Sequence, residues 1–95
     1  MTKTYYIYIM TNTTNTVVYI GVTNDLLRRT AEHIDGTVDG FSQKYKTCKL
    51  VYFEEYHEIN CAIQREKQLK HWTRAKKNAL VDALNPEWND LRPLL

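Results

Sequence analysis

Three sets of residues in this chain are of types and spacings that can do chemistry. Glu66 falls at the angular centre of the helical set Ala62, Ile63 and Leu69, where charge does not belong. A carboxylate so placed needs a cation, a hydrogen-bond network or a metal. It reads either as an ion pair with Lys70, four residues on, or with an arginine, or as a ligand to a divalent ion. Arg29 and His33 form the second set, because i,i+4 spacing on a helix points both the same way. An arginine there can grip a phosphate with forked donors, or lie over the core edge and pair with an acid. A lone helical histidine is more often a packing or capping residue than a proton carrier. The third set is the tyrosines, seven of 95 residues, of which alternation puts Tyr6, Tyr8, Tyr19 and Tyr52 on one sheet face. Packing is the ordinary role of a sheet tyrosine. Beside a metal, a phenol or a bound water can instead supply a base or nucleophile.

The elements that must hold these groups can be read from periodicity. Tyr5–Met10 alternates as a strand, the polar run 11–16 turns, and Val17–Gly21 resumes the β-branched pattern, so the two runs predict a hairpin. Pairing across it sets Tyr8 opposite Tyr19, with Ile7, Ile9, Val18 and Ile20 on the other face against helices. Thr23 or Asn24 caps a helix with Asp25 in its first turn, running to about Ile34, with Leu26, Leu27, Thr30, Ala31 and Ile34 as its apolar arc. Arg29 and His33 sit at the edge of that arc. Residues 35–40, with two glycines, break the helix and lead into a basic, aromatic loop, Phe41–Lys46. Leu50–Tyr56 is the third strand. Asn60 caps a second helix through Trp72, and Thr73 caps a third with Ala75, Ala79, Leu80, Ala83 and Leu84 inward, ended by Asn85-Pro86. The expected architecture is α/β, a small three-stranded antiparallel sheet flanked by helices in the order ββαβαα.

Length and composition bound the rest. Ninety-five residues and 11.3 kDa make one domain, residues 1–95, with a shallow cleft suited to a large substrate. Hydrophobic residues at 43% and charged residues at 25% exclude wholesale disorder. With no membrane-spanning run and no signal peptide, the chain reads as cytoplasmic. Cys48 and Cys61 are spaced for neither a disulfide scaffold nor a CxxC pair and read as buried reduced thiols. A zinc site from Cys48, His57 and Cys61 fits no compact ligand set. The net charge of +2 hides an asymmetry: between Cys61 and Val81 six cations face Glu66 alone. That basic stretch is either a solvated helical face or a polyphosphate footprint.

Tyr6-Ile7-Tyr8, ten residues, then Tyr19-Ile20-Gly21 resembles the paired signature of the GIY-YIG nuclease superfamily. The resemblance continues through Gly21–Arg29 with His33, Leu50–Glu55, Arg65–Trp72 and Asn85–Leu91. It covers almost the whole chain and is closest to the small stand-alone members. Tyr6 is a departure, standing where the first tripeptide has glycine, and its bulk could narrow the substrate groove.

The resemblance implies hydrolysis of phosphodiester bonds with one divalent ion, Mg2+ or Mn2+, in DNA ahead of RNA, with a role in DNA repair or processing. Position by position it assigns Tyr8, Tyr19, Arg29, His33, Glu66 and Asn85 to the catalytic site, Glu66 being the metal ligand. Such an attack builds negative charge on phosphoryl and leaving oxygens, so cations must aim there and a base must serve the water. Arg29 would hold the phosphoryl oxygens, and Tyr19, assisted by Tyr8 or His33, would orient or deprotonate the water. Arg28, Lys44, Lys46, Lys70 and Arg74 are the expected backbone-phosphate contacts. Selectivity is expected for structure rather than sequence, with a protein partner able to supply more, in a monomer or weak dimer. The alternatives are a nucleic-acid-binding module of the same fold without turnover, and an interaction domain in which Glu66 pairs with Arg29 while the tyrosines pack.

Overall fold

A computed structural model describes residues 3–36 and 40–95. Seven residues of alternating apolar and aromatic type make β1, Tyr5–Thr11, the central strand. It pairs antiparallel with β2, Val18–Thr23, on one side and with β3, Lys49–Tyr56, on the other. The expected three-stranded antiparallel sheet flanked by helices is the observed architecture. One element is added: Phe41–Lys46, expected as a loop, is largely the short helix α2, Gly40–Tyr45. The order is therefore ββααβαα, followed by a 3₁₀ turn at Arg92–Leu94.

Alternation divides the core between two layers. Ile7, Ile9 and Ile20 face α3, Ile59–His71, and α4, Arg74–Leu84, packing with Ala62, Leu69, Val81 and Trp88. Tyr8 and Met10 face α1, Leu26–Asp35, packing with Leu26 and Leu50. The register differs from expectation by two residues. Tyr8 opposes Gly21, and Tyr19 opposes Met10. A slip of two preserves every face and changes every partner. The connecting loop sets it: Asn12 Oδ1 accepts from the Thr16 and Val17 amides, and Thr11 Oγ1 donates to the Val17 carbonyl at 2.6 Å.

Tyr52 lies on the α3 side, not with Tyr8. Between Ile9 and Met10 the β3 register shifts, so that Val51 is an extra residue separating Leu50 on one face from Tyr52 on the other. A bulge of one residue inverts a strand's alternation beyond it.

Helix boundaries moved with their caps. Asp25 itself caps α1, accepting from the Arg28 amide, and Glu58 rather than Asn60 caps α3 through the Cys61 amide. Thr73 caps α4 as expected. Gly36 ends α1 in the left-handed region at φ 73°, which a residue without Cβ adopts freely. The expected break at 35–40 is otherwise outside the described residues at 37–39. The buried face of α1 is Leu26, Thr30 and His33, whereas Leu27 and Ile34 are exposed. On α4 only Val81 is fully buried, and Leu84 is exposed. Both arcs are shifted from expectation: His33 and Val81, outside the expected sets, are buried, while Leu27, Ile34 and Leu84 face solvent. Cys61 is exposed and Cys48 half-buried, rather than both buried, and both thiols are free. Among the described residues, no helix is long and apolar enough to cross a membrane.

Candidate active site

β1 and α1 bring Tyr8, Arg29 and His33 together. The Tyr8 phenol is fully buried, with its oxygen 2.8 Å from His33 Nε2 and accepting from Arg29 Nε at 3.3 Å. His33 Nδ1 lies 3.3 Å from the hydroxyl of buried Thr47. The phenol oxygen thus lies between the Arg29 donor and an imidazole nitrogen that donates or accepts according to the tautomer. Tyr19 joins through its ring, 4.6 Å from His33 and 6.2 Å from Tyr8 between centroids. Arg29 also reaches Glu32 at 3.4 Å. Its guanidinium is held more firmly charged by the Tyr8 hydrogen bond, against the opposing effect of burial.

Gly21 is the companion of Tyr8. A Cβ built on Gly21 would stand 2.5 Å from the Tyr8 oxygen, because the phenol lies across this residue of the neighbouring strand. The phenol is pinned by His33 and Arg29 and has little freedom to move away. Glycine here is a matter of space rather than of backbone angle.

A cleft lies along β2. A cavity of about 200 Å³ is lined by Val18, Tyr19, Ile20, Phe41, Lys70 and Lys77, joining residues from both sides of the sheet. Glu66 borders this region through Lys70, whose Nζ sits 3.1 Å from Oε1. Its side chain is only 17% exposed, so the central position in the apolar set is real and the lysine is its partner. The expected alternative of a Glu66–Arg29 pair is not what forms: Arg29 binds Glu32 and Tyr8, while Glu66 binds Lys70.

A lone carboxylate with one oxygen engaged suits a hard cation. Magnesium commonly takes one or two carboxylates and fills its remaining positions with water and substrate phosphate. No group of three or more His, Cys, Asp or Glu occurs among the described residues, which leaves Cys48, His57 and Cys61 without a zinc arrangement.

Other expected residues are placed differently. Asn85 is buried, its amide nitrogen donating to the Val51 and Asn89 carbonyls and its oxygen accepting from the Asn89 amide. Those bonds clamp the C-terminal segment onto β3 and leave it outside the Tyr8 cluster. The same segment brings Asp90 to the Leu50 amide and Arg92 to Thr30 Oγ1. Arg74 is spent on the Asn15 and Thr16 carbonyls, tying α4 to the β1–β2 loop. Arg28, Lys44 and Lys46 are exposed, Lys44 lying 5.3 Å over the Tyr45 ring. Tyr6 packs edge-on to Phe53 and lines a separate cavity with Leu26 and Asn24, so its bulk is directed away from the Tyr19 cleft.

Sequence reasoning missed Thr47, for which no signal existed, and a second network on the α3 face. There Tyr52 and Tyr56 both donate to Glu54, which Arg65 grips through Nε and Nη2, each at 3.0 Å. The signal was present, since Tyr52, Glu54 and Tyr56 alternate along one strand. Burial would raise the Glu54 carboxyl, but Arg65 and the two phenols outweigh it and hold the carboxyl low. Burial and the adjacent carboxylate push Tyr56 up to about 12 and Tyr52 further in the same direction.

The family model of the GIY-YIG catalytic domain matches residues 4–78, a span that contains both tyrosines, Arg29, His33 and Glu66. The chain belongs to the GIY-YIG family. Members of this family are typically endonucleases, and they generally use a divalent metal. The chain is 33% identical over 81 residues to a UPF0213 protein of Natronomonas pharaonis, covering 85% of this chain and 94% of that one. It is 32% identical over 82 residues to a UPF0213 protein of Haloquadratum walsbyi, covering 86% and 91%. The solution NMR structure of a UPF0213 protein from Bacillus halodurans is similar to this GIY-YIG domain with a TM-score of 0.58, at 25% identity over 92% of each chain.

Proposed function

We propose that this GIY-YIG protein is a nuclease that hydrolyses phosphodiester bonds in nucleic acid, DNA ahead of RNA, in a cytoplasmic repair or processing role. The observation that carries the reading is the Tyr8 oxygen, poised between an imidazole nitrogen that can take its proton and a guanidinium that donates to it. Binding alone has no use for a phenol buried in such a relay. Fully burying these polar groups is tolerable only because each is bonded.

In this reading Arg29 serves the phosphoryl oxygens from the mouth of the relay, where its side chain is about a third exposed. Tyr19, at the cleft wall, orients or deprotonates the attacking water, with Tyr8, His33 and Thr47 assisting from the buried network behind it. Glu66 would hold Mg2+ or Mn2+, with Lys70 released to substrate phosphate. When bound, that ion would supply positive charge for the leaving oxygen. Lys44, Lys46 and Lys77 would meet backbone phosphate, so binding should weaken steeply with salt. Asn85 and Arg74 are assigned to the scaffold.

The test is cleavage of single-stranded, duplex and branched DNA and of RNA, with and without manganese, by wild type, Arg29→Ala and Glu66→Ala. Either substitution should abolish cleavage, and Glu66→Ala should leave affinity largely intact. Unchanged cleavage by purified Glu66→Ala would overturn the metal assignment. The Lys70–Glu66 pair gives one specific ground for the module without turnover, since a carboxylate committed to lysine needs no ion. Wild type that binds nucleic acid but cleaves none under any metal would establish that module instead.

A further inference from the structure

A run of rings leads from the relay to the surface. Tyr8 and Tyr19 are 6.2 Å apart, Tyr19 and Phe41 5.7 Å, and Phe41 and Tyr45 4.7 Å between centroids. The inner rings are packed, but Phe41 and Tyr45, one turn apart on α2, are 36% and 39% exposed. Two large apolar rings left in water beside a cleft are not accounted for by the core, which closes without them. Charge accompanies them: Lys70 and Lys77 line the same cleft as Phe41, and Lys44 lies over Tyr45.

We propose that Phe41 and Tyr45 form a base-stacking platform, so that nucleic acid reaches Tyr19 with its bases unpaired, as single-stranded DNA or the frayed arm of a branch. Bases inside a duplex have both faces covered by neighbours and offer only edges and phosphates. An unpaired base presents a π-face, and an aromatic side chain beside a basic groove is the surface that takes it. Lys77 in the cleft lining and Lys44 beside Tyr45 supply the backbone contacts, and the rings supply selection for strandedness without reading sequence. This deepens the nuclease reading where it concerns cleavage, whereas the binding itself stands independently of turnover.

The test is fluorescence anisotropy in a metal chelator, with end-labelled oligodeoxythymidylate, an abasic strand of equal length and a blunt duplex. Variants are Phe41→Ala, Tyr45→Ala, their combination, and the ring-keeping Phe41→Tyr and Tyr45→Phe, each checked for fold by circular dichroism. Wild type should prefer the thymidylate strand to the abasic one by roughly tenfold or more, and the double alanine variant should lose that preference while the ring-keeping variants retain it. Equal binding of the abasic strand or of the duplex by wild type overturns the platform. So does a preference that survives in a folded double variant. Cleavage assayed separately distinguishes the two readings. Strands bound through the rings but never cut would sink the nuclease and spare the platform. Cutting that depends on Arg29 but ignores the bases would do the reverse.

Discussion

The two faces of the sheet hold nearly the same residue types with different hydrogen-bond partners. On the α3 face, Tyr52 and Tyr56 donate to a carboxylate that Arg65 holds charged, and Glu54 keeps both phenols protonated. On the α1 face, the Tyr8 oxygen lies 2.8 Å from an imidazole nitrogen and accepts from Arg29 Nε. Tyrosine beside arginine is therefore not a site by itself. The acceptor decides: a carboxylate fixes a phenol as a donor, whereas an imidazole leaves the proton transferable.

The contrast breaks most sharply on the hydroxyls. Tyr8→Phe should lower cleavage about 100-fold or more, on the scale of removing one organised hydrogen-bonding group from a catalytic site, as measured by single-turnover kinetics. Tyr52→Phe should leave the rate of folded protein within a small factor. Equal losses would mean that the faces are not specialised. Gly21→Ala comes next, since its Cβ must displace the Tyr8 phenol or the strand. We expect a destabilisation of about 1–3 kcal/mol in urea titration, together with reduced cleavage and retained binding.

Arg65→Ala probes the other face. It leaves Glu54, about a fifth exposed, without its cation. The cost should be about 1–2 kcal/mol after allowing for solvent access, with cleavage by the folded fraction unchanged. Smallest is the pH dependence. Glu54 has its carboxyl lowered on folding, so its contribution is present above the ordinary carboxylate range and is lost as pH falls through and below it. Tyr56 is raised to about 12, so its contribution is full below the ordinary phenol value and lost as pH rises through about 12. Urea midpoints measured across pH should fall at both ends, and Tyr56→Phe should reduce the alkaline limb most and the acid limb slightly, since its hydroxyl also helps hold Glu54 low.

Much of this was legible one residue at a time. Strand alternation separated Ile7 and Ile9 from Tyr8 and Met10, and Thr73 announced its helix. Glu66 stood out because a charge in an apolar stripe must be compensated, and the lysine four residues on was already a candidate. Asp25 and Glu58, by contrast, took caps expected for their neighbours, because several residues in each junction can accept the same amide. The exposed Leu27, Ile34 and Leu84 show why an apolar arc overstates burial in a domain with little sheet to cover it.

Periodicity and spacing along the chain thus determined most of the elements and the two faces, since each depends on neighbours three or four residues apart or on a strand's alternation, while the family was carried by the tyrosine-isoleucine motifs and the blocks that follow them. Which groups meet was decided only in three dimensions. A two-residue hairpin offset laid Tyr8 over Gly21, one extra residue at Val51 moved Tyr52 to the far face, and folding delivered Arg65 to Glu54 and Thr47 to His33. Hydrogen bonds and ion pairs act over a few ångströms, and residues far apart in the chain acquire such distances only when the layers close.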